Sequence, residues 1–302
     1  MQKRNDLIPE AIRRSIYLVI PAVLSFWVEM LSIAAEPPSP KDELQVMTYN
    51  LRFASTNRPN AWPDRRPLIR ELVQSASPDI IGTQEGLFGQ LNDMAVDLPD
   101  YTWIGVGRDD GHEKGEFMAV FYRKSRLQPL STNYFWLSDT PEVPGSTTWG
   151  NKNRRMVTTL KFHDRAANKD FYLLDTHFDH EVQIAREKSA ELVRKRVEGL
   201  GTNLPILLIG DFNAAAGKNK AWHQLADDHF FTDTWDIAKE RLGDGLGTFN
   251  GFKAVPTNSV RIDWILARGK VSVDREEILT FSRDGKFPSD HCPVMARLRF
   301  EE

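Results

Sequence analysis

Cysteine is almost absent from this chain of 302 residues, since Cys292 is the only one. A single cysteine excludes an intramolecular disulfide and a zinc cluster built on several thiolates. The folded chain must therefore be stabilised by packing. With 41% apolar residues, it has enough material for a sizeable core.

The chain also lacks a large excess of charge of either sign. Lysine and arginine together number 39 against 42 acidic residues, which gives a formal net charge of -3. Proteins that wrap nucleic acid through many phosphate contacts carry a basic excess. The composition therefore disfavours tight non-specific binding of nucleic acid, although it leaves room for a local basic cleft.

The N-terminal segment has the order of an export signal. Basic residues precede an apolar run at 16–28, small residues follow it, and a proline-rich stretch comes next. The basic residues are Lys3, Arg4, Arg13 and Arg14, and the small ones are Ser32, Ala34 and Ala35. We interpret 1–35 as a signal peptide cleaved after Ala34 or Ala35, and 36–41 as a linker, which predicts a periplasmic or extracellular protein. The alternative is an uncleaved membrane anchor over 16–35.

Residues 42–302 contain no repeat or second linker and predict one domain. Strand-rich halves that each include helices indicate two packed sheets covered by helices on their outer faces. The predicted helices lie at 64–76, around 91–98 and at 181–197. The predicted strands lie at 44–49, 79–83, 101–106, 117–123, 154–162, 171–178, 204–209, 260–266 and 293–300.

Two polar side chains come directly after the apolar run that ends at Gly210. They are Asp211 and Asn213, which point to the same side if the backbone is extended. A carboxylate and an amide aimed into one cleft suit the orientation of a water molecule and a phosphoryl oxygen. The alternative is an ordinary Asp/Asn turn after a strand.

Asp263 and His291 are candidates for a second pair. Asp263 lies within an apolar strand, where an unpaired carboxylate is costly. His291 and its neighbour Asp290 face opposite ways on an extended segment, so His291 needs a different carboxylate. An Asp263–His291 contact would raise the basicity of the imidazole, which suits general-base or charge-stabilising roles. A purely structural contact of Asp263, with His291 or with Arg261, is the alternative.

Three polar residues, His177, Asp179 and His180, lie between a strand and the longest predicted helix. We expect His177 to donate a hydrogen bond to a phosphate oxygen. Asp179 has the position of a helix N-cap. Imidazole and carboxylate together would also suit Zn²⁺, but no third and fourth ligand stands out at comparable spacing.

Asn50 and Glu85 each end a strand in the first part of the chain. An acidic residue at the mouth of a sheet is a hard oxygen ligand of the kind that Mg²⁺ prefers, and Asn50 is placed beside it. Either residue could instead belong to a turn or a helix cap.

Taken in order, these strand-end motifs resemble the endonuclease/exonuclease/phosphatase superfamily of deoxyribonuclease I-like phosphohydrolases. The resemblance covers about 250 residues from Val46 to the C-terminus, and its specific parts are the Gly-Asp-Phe-Asn and Ser-Asp-His motifs. It implies a four-layer α/β sandwich in which two packed mixed β-sheets are flanked by helices. It also implies an active site at one end of the two facing sheets.

The resemblance further implies a role for each strand-end residue. Mg²⁺ or Mn²⁺ would be held by Glu85, with Asn50 and Asp290 near it. Asp211 or the Asp263–His291 pair would act as the base. Asp211 and Asn213 would align the water and the phosphate, and His177 would contact a phosphate oxygen. Candidate substrate-binding residues near these motifs are Arg155, Arg186 and His180.

Three functions compete at this point. We favour a Mg²⁺-dependent phosphodiesterase or phosphatase that acts outside the cytoplasm on a small or lipid-like phosphoester. A nuclease is the second hypothesis, for which a cleft built on Arg65, Arg66, Arg154 and Arg155 would have to suffice. An inactive binding module is the third, and the intact motifs disfavour it. We expect a monomer without an obligate protein partner.

Overall fold

The computed structural model describes residues 42–301. The predicted signal peptide at 1–35, its cleavage site and the linker at 36–41 lie outside the described residues. Within 42–301, every helix is too short or too polar to cross a membrane.

Residues 42–301 form thirteen strands and five α-helices. The strands are β1 (Leu44–Asn50), β2 (Ile80–Leu87), β3 (Tyr101–Ile104), β4 (Glu116–Arg123), β5 (Leu127–Trp136), β6 (Met156–Asp164), β7 (Lys169–His177), β8 (Ile206–Asp211), β9 (Thr232–Asp233), β10 (Glu240–Leu242), β11 (Asp263–Arg268), β12 (Val271–Ile278) and β13 (Val294–Phe300). The helices are α1 (Trp62–Ala76), α2 (Phe88–Asp97), α3 (Gln183–Gly199), α4 (Lys220–Ala226) and α5 (Thr234–Ile237).

These strands form two mixed sheets. The first has the order β10-β12-β13-β1-β2-β4-β3 and the second the order β5-β6-β7-β8-β11-β9. Pairing is parallel between β1 and β2, β10 and β12, and β7 and β8. The other strand pairs within 42–301 are antiparallel.

Side chains of the central strands alternate between two apolar layers. Val46 of β1 and Ile209 of β8 both enter the layer between the sheets. Their neighbours point outward, so that Met47 packs under α1 and α2 while Leu208 packs with α3. The order is therefore helix, sheet, sheet, helix, which confirms the predicted four-layer α/β sandwich.

Strand direction brings the polar strand ends to one edge of this sandwich. Because β7 and β8 run parallel, His177 lies opposite Asp211 where both strands end. β11 runs antiparallel to β8 and begins with Asp263, which also lies opposite Asp211. β13 runs antiparallel to β1, so the segment that precedes it, with His291, returns to the end of β1 at Asn50.

The sequence does not predict four of the strands, namely β5, β9, β10 and β12. β5 lies at the edge of its sheet, exposes most of its middle residues and carries Pro129 next to a shift in register. β12 is largely charged and also shifts register, between Val273 and Arg275. The strand predicted at 260–266 begins at Asp263, so this carboxylate lies at a strand end and not within the strand.

A carboxyl group of β12 is buried near α5. Glu276 is 0% exposed and lies close to Asp233 and Arg261. Burial and then the Asp233 carboxylate raise the pKa of Glu276 from 4.5 to about 8, although Arg261 opposes them. The unfolded chain therefore ionises this group at lower pH than the folded chain does. The free energy of unfolding should fall as the pH rises from 4.5 and should level off above 8.

Replacement of Glu276 by glutamine should weaken this pH dependence, because the amide does not titrate. We expect the difference in unfolding free energy between acidic and alkaline pH to shrink by on the order of 2 kcal/mol. Urea denaturation at pH values on both sides of this range measures the difference. The exposed Glu198→Gln is the matched control. An unchanged pH dependence in Glu276→Gln would show that Glu276 is ionised normally in the folded chain.

Candidate active site

A cavity of about 620 Å³ opens at the edge where the polar strand ends meet. Asn50 and Asp263 lie buried beneath its lining, at 0% and 1% exposure, whereas Arg186 does not line it. A larger groove of about 840 Å³ between α3 and strands β5 to β7 contains none of the predicted site residues. Eight of the eleven predicted residues line the smaller cavity, namely Glu85, Arg155, His177, His180, Asp211, Asn213, Asp290 and His291.

Asp263, His291 and Asp211 form a buried charge row under this cavity. His291 Nδ1 lies 3.0 and 3.2 Å from the two carboxylate oxygens of Asp263, so the predicted contact is present. On the other side, His291 Nε2 lies 3.7 Å from Asp211 Oδ2. Burial alone lowers the pKa of His291, but Asp263 and Asp211 outweigh burial and raise the pKa to about 10. Burial and Asp263 raise the pKa of Asp211 to about 7, although His291 opposes the shift.

The same buried charge row is a possible metal site. One ligand atom from each of Asp211, Asp263 and His291 lies within 4.8 Å of the others. The sequence predicts these three residues at one site as catalytic groups, and not as ligands of a metal. Their ligand atoms meet only through strand pairing.

A turn, and not extended backbone, brings Asp211 and Asn213 together. Asn213 has a φ of 48°, in the left-handed region, and its N–H donates to Asp211 Oδ1 at 2.9 Å. The Asp/Asn turn and the convergence of the two side chains are thus both present. Gly210 is required just before this turn, since a Cβ there would lie 2.1 Å from Thr176 O.

His177 is buried beside the turn as a neutral ring. Burial, followed by the Arg155 guanidinium, holds the pKa of His177 well below its ordinary 6.5. Asn213 Nδ2 donates to His177 Nε2 at 3.0 Å and to Phe178 O at 3.1 Å. Because an amide nitrogen can only donate, His177 Nε2 accepts and Nδ1 carries the proton. Contact between His177 and a phosphate oxygen stays a prediction.

Glu85 and Asp290 form an acidic pair on the cavity wall. Arg52 lies between them, with Nη1 3.7 Å from Glu85 Oε2 and Nε 3.7 Å from Asp290 Oδ2. Asn50 Nδ2 donates to Glu85 Oε1 at 3.1 Å and to Asp211 Oδ2 at 2.9 Å. The Asn50 oxygen accepts from the backbone N–H of Arg52 at 3.0 Å. Asn50 therefore connects the acidic pair to the buried charge row.

Two of the three candidate substrate-binding residues lie at the cavity. Arg155 Nη2 is 3.0 Å from His180 Nδ1, and Arg155 Nε is 3.6 Å from Asp179 Oδ2. Arg186 instead donates to Asp179 O at 2.6 Å and to Gln183 Oε1 at 3.1 Å. The structure therefore does not bring Arg186 to the site, because its guanidinium is used to brace the start of α3.

Asp179 lies three residues before the N-cap of α3, which is Val182. Its Oδ1 accepts from the backbone N–H groups of Glu181 at 3.0 Å and Val182 at 2.7 Å. The helix itself begins at Gln183, so Asp179 stabilises the turn that leads into α3.

Arg65 organises the loops around the cavity, and the sequence analysis missed this role. It is 1% exposed and lies on the face of α1 that also carries Trp62 and Ile69. An arginine on an apolar helix face was the available signal. Its guanidinium donates to five backbone carbonyls, those of Leu51, Arg52, Phe53, Asn60 and Pro288. These bonds fix the segment after β1 against the segment before Asp290.

The arginines considered for a nuclease cleft do not form one. The Arg65 guanidinium donates its hydrogen bonds to backbone carbonyls, and Arg66 Nε donates to Asp97 Oδ2 at 2.7 Å. Arg154 pairs with Asp109 at 3.5 Å. Of the four arginines considered, Arg155 alone lines the cavity.

Comparison with known proteins identifies the family to which these motifs were compared. The sequence profile of the Endonuclease/Exonuclease/phosphatase family matches residues 47–291. A Bacteroides thetaiotaomicron protein of that family is 36% identical, with a TM-score of 0.82 over 86% of this chain and 95% of that one. A mannosyl-6-phosphatase of the same bacterium is also 36% identical, with a TM-score of 0.80 over 85% and 100%. An uncharacterised protein of Acanthamoeba polyphaga mimivirus is 31% identical over 77% of this chain and 84% of its own length.

Replacement of Asp263 by asparagine should lower kcat by about 10²- to 10⁴-fold, because the imidazole loses the carboxylate that orients and charges it. Initial rates on p-nitrophenyl phosphate with Mg²⁺ measure the loss, and thermal melts check folding. The exposed Asp228→Asn is the matched control. Near-normal kcat in Asp263→Asn would make the pair a purely structural contact.

Proposed function

The chain belongs to the endonuclease/exonuclease/phosphatase family, whose members hydrolyse phosphoric esters, and we propose that it is a Mg²⁺- or Mn²⁺-dependent hydrolase of phosphorylated sugars. One observation carries the proposal. The acidic pair, Glu85 with Asp290, and the buried charge row, Asp211 with Asp263 and His291, meet in a single cavity.

Glu85 and Asp290 fit a hard divalent cation. Their oxygens are of the type that Mg²⁺ and Mn²⁺ prefer. Burial raises the pKa of Asp290 and the Glu85 carboxylate adds to the rise, whereas His291 opposes it. A cation held by both carboxylates would relieve their repulsion. When bound, such an ion polarises the phosphoryl group and neutralises its developing charge.

Asp211 and His291 would manage the protons of the reaction. His291 lies between two carboxylates, which favours its protonated form and suits it to donate to a phosphoryl oxygen. Asp211 would take the proton of the attacking water as the new oxygen–phosphorus bond forms. The bond to the leaving group would break at the same time, and the leaving oxygen would take a proton from solvent to become the alcohol. Asn50 and the backbone N–H of Asn213 each hold one oxygen of Asp211, so its direction is fixed.

A phosphorylated sugar is the substrate class we propose, because a mannosyl-6-phosphatase is among the relatives with 36% identity. The volume of the cavity, about 620 Å³, suits a small organic phosphate. A nucleic-acid substrate is less well supported, since three of the four arginines considered for it are engaged elsewhere.

Purified residues 36–302 should release phosphate from mannose 6-phosphate with Mg²⁺ or Mn²⁺ and should lose this activity in EDTA. Inorganic phosphate release measures it, with bis-p-nitrophenyl phosphate, sphingomyelin, RNA and plasmid DNA as parallel substrates. Nicked plasmid at low enzyme concentration would indicate a nuclease instead. Absence of activity on every substrate with either metal would contradict the proposal.

Glu85→Gln is the variant that ties this activity to the acidic pair. It should raise the Mg²⁺ concentration needed for half-maximal rate by at least about 10-fold, because one ligand charge is lost. The exposed Glu191→Gln is its matched control. An unchanged Mg²⁺ requirement would place the ion elsewhere.

We propose that the protein is exported from the cytoplasm. This proposal rests on the order of basic, apolar and small residues in 1–35. Expression of the full chain in a bacterium should yield periplasmic or secreted protein that begins at residue 35 or 36. Mass spectrometry of the N-terminal peptide measures the start. Mature protein that begins at Met1 would contradict cleavage, and membrane-bound protein would support the anchor.

A further inference from the structure

A pair of opposite charges lines the cavity at the base of the loop between β3 and β4. Arg108 Nη1 lies 2.5 Å from Glu116 Oε2, and the backbone N–H of Arg108 donates to Glu116 O at 3.0 Å. A bridge between Gly107 and Phe117 fixes the base of the loop next to the pair. Both side chains are therefore held in place before any ligand binds.

Arg108 of this pair, and Arg155, which also lines the cavity, each have a hydrogen-bond donor that is not used within the described part of the chain. Arg108 Nε and Arg155 Nε are buried, yet neither has a hydrogen-bond acceptor among residues 42–301. A buried donor without an acceptor is destabilising, so a ligand that supplies acceptors is favoured there. Burial raises the pKa of Glu116, although Arg108 opposes the rise. The Glu116 side chain is 19% exposed and can also accept.

The charge balance disfavours a second anionic group as this ligand. Glu116 neutralises Arg108, and Asp179 lies 3.6 Å from Arg155. A hydroxyl group, in contrast, donates one hydrogen bond and accepts others. Two neighbouring hydroxyls can therefore give a hydrogen bond to the carboxylate and take one from the guanidinium.

An aromatic ring at the same cavity favours a sugar. Phe249 lines the cavity with 49% of its surface exposed, and its ring centre lies 5.1 Å from that of His291. An exposed ring beside a few fixed polar groups is the usual composition of a small-molecule site. A sugar ring has both an apolar face for such a ring and hydroxyls for the charged pair.

We propose that Arg108 and Glu116 form a subsite that binds hydroxyl groups of the leaving sugar, with Phe249 against its ring. The inference rests on the proposed function and extends it, since it assigns specificity to two residues outside the reacting groups. It separates leaving-group recognition from the acidic pair and the buried charge row, which act on the phosphoryl group.

The test compares two primary alkyl phosphates, mannose 6-phosphate and n-hexyl phosphate, with the wild type, Glu116→Gln and Arg108→Lys. In both variants kcat/KM for mannose 6-phosphate should fall by about 10- to 100-fold, mainly through KM. For n-hexyl phosphate it should stay within about 2-fold, because that leaving group has no hydroxyls. The exposed Glu113→Gln, in the same loop, is the control, and thermal melts confirm folding.

Equal losses on both substrates, or no loss on either, would overturn the subsite. Faster hydrolysis of a hexose bisphosphate by Glu116→Gln would also overturn it, since that result indicates an anion site. If the wild type hydrolyses n-hexyl phosphate but not the sugar phosphate, the subsite is contradicted while the proposed phosphoester hydrolysis is supported. If the wild type hydrolyses no phosphoester, both the subsite and the proposed function are contradicted.

Discussion

The charge balance of the buried row is the constraint on which the site depends. Asp211, Asp263 and His291 are each at most 6% exposed at the edge of an apolar sandwich, where isolated charges are strongly disfavoured. They are tolerated because the imidazole lies between two carboxylates, and because Asn50 and the turn at Asn213 hold the remaining oxygens. Removal of His291 would leave two buried carboxylates without the cation between them. The reactive geometry and the stability of this edge therefore rest on the same contacts.

The fold converts distant sequence positions into neighbours through strand direction. Parallel β7 and β8 place His177 opposite Asp211, and antiparallel β11 places Asp263 opposite it as well. Arg65 adds the connection between sheets and loops, since its five carbonyl partners tie the end of β1 to the segment before Asp290. The lining of the cavity then includes both the acidic pair, Glu85 with Asp290, and the Arg108–Glu116 pair.

Much of this arrangement follows from local sequence patterns. Apolar strands that end in polar residues predicted nine of the thirteen strands and, together with the basic start of one strand at Arg155, eight of the cavity-lining residues. The reason is that these strand ends collect at one edge of the sandwich. β5 and β12 escaped prediction because an edge position and a charged composition remove the alternation that identifies a strand. Arg66, Arg154 and Arg186 were misleading for another reason. Their partners, such as Asp179 O and Asp97, are set by tertiary contacts that no single segment encodes.

Anomalous diffraction from crystals soaked in Mn²⁺ tests the central claim most directly, because the cavity contains two sets of possible ligands. If the acidic pair holds the ion and the buried charge row handles protons, the anomalous peak should lie within bonding distance of Glu85 and Asp290 oxygens. His291 should then keep its contact with Asp263. A peak coordinated by Asp211, Asp263 and His291, with Glu85 free, would contradict this division of roles.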